Sequence, residues 1–225
     1  MRERQFKILQ QQAYDHIKNG ILDQSFQYDQ IYSESKLSLE IGISRTPVRD
    51  AVHRLYQEGL IDIIPNKGFI LHKITNTEMM ENQEIRSAIE GYCSRQAAIS
   101  NSSGPVRNLL TAMEASLDKQ QEIYESTSDV FQFTAEDQHF HFLLVTYNNN
   151  ETFLDIYNQC IYKTKRLASY SLKSEGRMLH TLHEHRDIYQ AIREGNPQQA
   201  YDAVILHMQA PLSVYMQNSG LEPCE

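Results

Sequence analysis

Ile41-Gly42-Ile43-Ser44-Arg45-Thr46-Pro47-Val48-Arg49-Asp50-Ala51-Val52-His53-Arg54-Leu55, followed after Gly59 by Leu60-Ile61-Asp62-Ile63-Ile64-Pro65-Asn66-Lys67-Gly68-Phe69-Ile70-Leu71, is the stretch on which the fold turns. Ser44 stands where an N-cap is needed. Pro47 falls in the first helical turn, where no intrahelical N–H bond is lost. The helix they open is expected to run to about Glu58 and to stop at Gly59. Just before it, Glu34 to Ile41 reads as a short helix with Ser33 as N-cap and Gly42 after its last turn. Further upstream a helix is expected from about Glu3 to Asn19, with Phe6, Leu9, Ala13 and Ile17 at helical spacing and Gly20 as its stop. Helix, tight glycine turn, helix is a helix-turn-helix pattern. The two apolar runs that follow, Leu60–Ile64 and Phe69–His72, are joined by Pro65-Asn66-Lys67-Gly68 and read as a β-hairpin wing.

The third helix has two faces. Val48, Ala51, Val52 and Leu55 form an apolar stripe, while Arg45, Thr46, Arg49 and His53 lie opposite, with Arg54 flanking. Arg45 and Arg49 are one turn apart at the N-terminal end, where a recognition helix reads bases, and a guanidinium matches guanine O6 and N7 bidentately. Lys36 on the second helix and Lys67 on the wing tip are candidate phosphate or minor-groove contacts. Solvated charge on an ordinary surface helix is the bland alternative, and the adjoining wing weighs against it.

Charge follows the same division. The formal net charge is −8, but residues 1–75 carry 10 Lys and Arg against 9 Asp and Glu, whereas residues 76–225 carry 11 against 20. A near-neutral head that gathers its basic side chains on one face can bind nucleic acid while tethered to an acidic body. No apolar run approaches the roughly 18 residues of a membrane span, and the N-terminus leads into an amphipathic stretch rather than a signal-peptide core, so the chain is expected to be cytoplasmic. Cys93, Cys160 and Cys224 are far apart and odd in number, which argues against a disulfide framework or a zinc ribbon.

From about Thr77 long helical patterns alternate with polar breaks at 100–105, 126–128, 148–150, 174–176 and 195–197. They divide 77–217 into about six helices. The expected architecture is therefore mainly α: a winged helix-turn-helix over 1–75, an all-helical bundle over 76–217, and a tail over 218–225. Within the bundle Asp137 and His141 lie one turn apart on the face of Phe133 and Leu144. His185 shares a face with Ile188, Tyr189 and Ile192, and His207 with Ala200, Ala203 and Val204. Three histidines and an aspartate on apolar faces need compensation for burial. A shared divalent ion (zinc, nickel, manganese or iron) supplies it, since helices of a bundle can converge on such a site. A single buried histidine is more often a hydrogen-bonded core residue, so periodicity alone leaves both readings open. His139, His180 and His183 face solvent.

The segments Tyr32-Ser33-Glu34-Ser35-Lys36-Leu37, Ile41 to Val52, Leu55-Tyr56-Gln57-Glu58-Gly59-Leu60 and Lys67-Gly68-Phe69 resemble the DNA-binding domain of GntR-type bacterial regulators over roughly residues 5–75. The resemblance implies DNA contacts from Arg45, Thr46, Arg49 and the wing residue Gly68. Ser35 departs from the arginine that many members carry there. Residues 77–217 resemble, more loosely, the FCD effector domain of the FadR branch, through Ile85-Arg86 with Ile89-Glu90, Asp137 with Phe140-His141, Glu184-His185-Arg186, and Ala200 to His207. About six helices suggest its shorter, VanR-like form. The resemblance implies metal ligation by Asp137, His141, His185 and His207, with zinc or nickel the favoured ions. It also implies an effector cavity lined by Arg86, suited to a small carboxylate such as a hydroxy or sugar acid rather than a fatty acyl-CoA. The function so implied is a homodimeric repressor binding a palindromic operator in double-stranded DNA. Two other readings are a DNA-binding dimer with neither metal nor effector, and a helical metalloenzyme. The enzyme would need a general base beside the ion, and Glu136 points away from the face of Asp137.

Overall fold

The computed structural model describes residues 2–22 and 25–218, and the chain divides into two compact units at Ile74/Thr75. The first contains α1 (Arg2–Leu22), α2 (Glu34–Ile41), α3 (Arg45–Gln57), β1 (Ile61–Ile64) and β2 (Gly68–Leu71). The strands pair antiparallel, with Ile61 opposite Leu71 and Ile64 opposite Gly68. A further bridge ties Tyr32, ahead of α2, to Phe69. The core of this unit is Ala13, Tyr14, Ile17 and Ile21 from α1, the apolar stripe Val48, Ala51, Val52 and Leu55 of α3, and Leu60, Ile61, Phe69 and Leu71 around the wing.

Two local expectations are corrected. Gly20 does not end α1, which continues to Leu22. A Cβ at Gly20 would stand 2.4 Å from the Phe26 ring, so glycine here permits a close approach and is not a stop signal. Phe6 lies on the exposed side of α1, whereas Tyr14 and Ile21 join the core. Ser33 and Ser44 occupy the N-cap positions of α2 and α3 with extended backbone, but neither side chain makes a capping hydrogen bond. Gly42 closes α2 with φ +76°, a conformation that favours glycine.

The second unit contains α4 (Asn76–Ile99), α5 (Gly104–Ser126), α6 (Val130–Thr146), α7 (Glu151–Ser171), α8 (Arg177–Glu194) and α9 (Pro197–Asn218). Each boundary has a local cause. Thr75 and Glu78 form a capping box at the start of α4, and Ser103, Asp129 and Asn150 cap α5, α6 and α7 through side-chain oxygens. Gly195 closes α8 with φ +68°. Leu109, Met113, Phe133, Phe140, Leu144, Leu182, Ile188, Ile192 and Val204 build one core among these helices. Beyond Asn218, the expected tail and Cys224 lie outside the described residues. No helix among the described residues is long and apolar enough to cross a membrane.

Candidate functional site

In the first unit the amphipathic register of α3 decides which side chains face out. Burial of Val48, Ala51, Val52 and Leu55 turns Arg45, Thr46, Arg49 and His53 to solvent on the opposite face. Lys36 is exposed on α2, and Lys67 is exposed in the turn between β1 and β2. Arg54 differs from its neighbours. Its Nε donates to Glu58 Oε1 at 3.2 Å, its Nη1 to Gln11 Oε1 at 3.1 Å, and its guanidinium lies 3.8 Å from the Tyr14 ring centre. Those contacts bind α3 to α1 and commit the guanidinium within the unit, although the Arg54 side chain remains about half exposed. Gly68 has φ +131°, and a Cβ there would meet the Tyr32 carbonyl oxygen at 2.0 Å. The Tyr32–Phe69 bridge therefore requires glycine at this position for packing alone.

In the second unit Asp137 and His141 from α6, His185 from α8 and His207 from α9 come together. One donor atom from each lies within 4.8 Å of the other three, and all four residues are buried. The Nε2 atoms of His207 and His185 stand 3.0 and 3.2 Å from that of His141. Asp137 Oδ1 is 3.5 Å from His185 Nε2 and 4.0 Å from His141 Nε2.

Each imidazole is turned by a partner on its other nitrogen. His141 Nδ1 donates to Glu90 Oε2 at 2.5 Å, His185 Nδ1 to Gln120 Oε1 at 2.8 Å, and His207 Nδ1 to Glu184 Oε2 at 2.8 Å. Ionised carboxylates and an amide oxygen only accept, so in all three rings Nδ1 carries a proton and Nε2 is the atom that faces inward. The carboxylates are held ionised. Burial pushes Glu184 up, but hydrogen bonds from His207 and Arg177 outweigh it and hold it at about 2. For Glu90, too, burial is overcome, by Arg86 and His141. Burial, with the neighbouring histidines, depresses His185 and His207 and so opposes protonation of their inward nitrogens.

The Nε2 atoms of His185 and His207 both crowd that of His141 in the interior, an arrangement that a shared cation would relieve. Nitrogens bound at about 2.1 Å to one ion sit roughly 3.0–3.4 Å apart, according to the coordination geometry. The separations of 3.0 and 3.2 Å suit that donor set, and one oxygen with three imidazoles suits a first-row transition metal.

Beside the cluster is a cavity of about 20 Å³, lined by Gln83, Arg86, Asp137, Ser171, Thr181 and His207 among others. That is room for about one water. Arg86 Nε donates to Glu90 Oε1 at 2.7 Å, while its Nη2 has no partner; Gln83 Oε1 and Ser171 Oγ are likewise buried without one. Pro211, also in the wall, interrupts the N–H series of α9, and Gln83 Nε2 donates to the nearby Met208 carbonyl at 2.6 Å.

The orienting residues Glu90, Gln120 and Glu184 escape a reading based on helical faces. They sit on α4, α5 and α8, and Glu90 and Gln120 are 51 and 65 residues from the histidines they hold. The available signal was a polar residue on an otherwise apolar face, four residues after Arg86 for Glu90 and directly before His185 for Glu184. His139, His180 and His183 are exposed.

Residues 81–210 match the FCD domain family, and residues 9–71 match the family described as bacterial regulatory proteins, gntR family. The uncharacterized HTH-type transcriptional regulator YdhC of Bacillus subtilis (strain 168) is 25% identical over 199 residues, which cover 87% of this chain and 86% of YdhC. The HTH-type transcriptional repressor RspR of Escherichia coli (strain K12) is 29% identical over 179 residues, covering 79% of this chain and 75% of RspR. Among solved structures, a GntR transcriptional regulator from Rhodococcus sp. RHA1 superposes with a TM-score of 0.77 at 19% identity, covering 95% of this chain and 99% of the other. That likeness speaks to the fold.

Proposed function

Because this chain belongs to the GntR-type DNA-binding transcriptional regulators that carry an FCD domain, we propose that it is a repressor whose operator affinity is set by a small carboxylate bound beside a transition-metal ion. Residues 1–75 form the reading domain and 76–217 the sensing and dimerising domain of this cytoplasmic regulator. Asp137, His141, His185 and His207 hold the ion, with zinc or nickel favoured. The observation that carries the reading is the convergence of three Nε2 atoms, each ring fixed by an acceptor on its other nitrogen. Such outer partners orient metal-bound histidines and raise their basicity.

The ion would supply a positive centre that binds an anionic oxygen. Arg86, with an unpartnered buried Nη2, lies on the cavity wall and supplies a second cationic contact for the same carboxylate. The cavity now has room for about one water, so an acid enters only as walls contributed by α4, α7 and α9 separate. That separation is how binding alters the disposition of two heads in a homodimer, with a coupling of about 1–3 kcal/mol. Arg45, Thr46, Arg49 and His53 face the major groove, with Lys36, Lys67 and the wing backbone at Gly68 on the flanking phosphates. One short helix reads few base pairs, so two copies on a palindromic site supply the specificity.

The test is operator binding by fluorescence anisotropy, on a DNA fragment selected from a random pool, with and without small hydroxy and sugar acids. A shift in affinity produced by one acid class, and abolished by His185→Ala, supports the reading. DNA binding that no acid alters in metal-loaded protein contradicts the sensing role.

A further inference from the structure

Among the second unit's helices, α4 has a wide buried side that packs on the core and a narrow outward strip. That strip consists of Glu81, Glu84, Ile85, Ala88, Tyr92, Arg95 and Ile99, all exposed. Ile85, Tyr92 and Ile99 recur every seven residues and are 41%, 46% and 56% exposed, with Ala88 and Arg95 at the intervening positions. Spacing of this kind, alternating three and four, forms the seam of a paired helix. Tyr92 meets Phe153 edge to face at 5.6 Å between ring centres yet stays 46% exposed, and a helix that has already buried its core face has no internal need for large apolar side chains such as Ile85 and Ile99 on the other side.

The charges on the strip identify the occupant. Glu81 and Glu84 lie toward its N-terminal end and Arg95 toward its C-terminal end. A twofold interface must be complementary to itself, and an antiparallel pairing of this strip is. With Ala88 set against Tyr92 of the second copy, the axis falls near residue 90. Arg95 then lies beside Glu84 and Ile85 of the second copy, and Ile99 lies near its Glu81. The other exposed aromatic strip, Phe131 and Phe142 on α6, has exposed Ala135 and His139 between them and no such opposition of charge.

We propose that Ile85, Ala88, Tyr92, Arg95 and Ile99 on the outer face of α4 form an antiparallel seam with α4 of a second copy of this chain. The inference rests on the dimeric reading above and gives it a place. It also gives α4 two roles, since its inner face carries Gln83 and Arg86 of the cavity wall and Glu90, which orients His141. A displacement of α4 at the cavity is a displacement of the seam.

The experiment uses the full chain in a Cys224→Ser background, leaving the buried Cys93 and Cys160 in place. Sedimentation velocity compares wild type with Tyr92→Glu, with helicity followed by circular dichroism. A short bismaleimide is applied separately to Ala88→Cys and Ile99→Cys. The seam predicts that Tyr92→Glu weakens dimerisation at least about tenfold with helicity unchanged. It also predicts efficient cross-linking through residue 88 and none through residue 99, whose two copies would be about 27 Å apart along antiparallel helices rising 1.5 Å per residue. A wild-type dimer that Tyr92→Glu leaves intact, or that cross-links equally through residue 99, overturns the seam and leaves the dimeric reading standing. A wild type that is monomeric at every concentration overturns both. If Tyr92→Glu does not fold, the cross-linking pair decides alone.

Discussion

Glu90 accepts the Nδ1–H of His141 at 2.5 Å while its other oxygen accepts the Nε–H of Arg86 at 2.7 Å, so one buried carboxylate on α4 fixes both a candidate metal ligand and a side chain of the cavity wall. On the proposed reading, this link would give the metal and the effector anion a shared mechanical element. A change in the position of Arg86 is felt at the ring of His141 through a single rigid group.

Glu90→Gln is therefore expected to lower transition-metal affinity by about 10–100-fold, the usual effect of losing such an outer partner. Competition with a chromogenic chelator measures it. Glu90→Ala additionally strands the Arg86 guanidinium, which is 4% exposed, and should cost about 3–5 kcal/mol of stability. An unchanged denaturant midpoint in Glu90→Ala would contradict the description of this pair.

The arginines of α3 are predicted to separate by role. Arg49→Ala and Arg45→Ala should each lose about 1–3 kcal/mol of discrimination between the selected site and a base-substituted one, with stability unchanged. Arg54→Ala should do the reverse. Its guanidinium is committed to Glu58, Gln11 and the Tyr14 ring, so its loss should lower the thermal midpoint slightly and leave DNA discrimination alone. Anisotropy and differential scanning calorimetry on the three variants distinguish these outcomes.

Much of this was legible in the sequence. The reading head could be laid out from capping positions, Pro47, the four-residue apolar stripe of α3 and the hairpin turn, because each is a local signal. Asp137 and His141 could be paired because four residues is one helical turn. Gly20 misled for a physical reason: a glycine that makes room for the Phe26 ring looks the same in sequence as one that ends a helix. The orienting partners Glu90, Gln120 and Glu184 were out of reach because packing of distant helices brings them to the histidines, and no periodicity encodes that. Gly68 could be noted, but that it must admit the Tyr32 carbonyl required the bridge to Phe69.

Gly68→Ala follows from the same contact. With φ +131° and a Cβ position 2.0 Å from the Tyr32 carbonyl oxygen, alanine cannot be placed without moving the wing. Strain of this kind costs about 1–3 kcal/mol before the bridge is lost. The thermal midpoint should fall, and protection of the Phe69 amide, bonded to the Tyr32 carbonyl at 3.0 Å, should fall in hydrogen exchange. A variant with wild-type stability would show that glycine here answers only to DNA.

Cys93 offers a check on the interior of the bundle. It is buried, and burial with the nearby Glu90 pushes its thiol up to about 12. At pH 8 it should resist maleimide in the native protein and react fully in guanidinium, as read by peptide mass spectrometry. Rapid native modification would mean that the α4 region opens readily.

The most direct test of the central claim is the elemental content of tag-free protein, wild type against His185→Ala. The metal-centre account predicts about one transition-metal ion per chain, lost in the variant while its circular dichroism stays helical. A correctly folded wild type that carries no metal, and takes up none when offered zinc or nickel, would contradict it, leaving three inward-facing histidines to be explained as a hydrogen-bonded core.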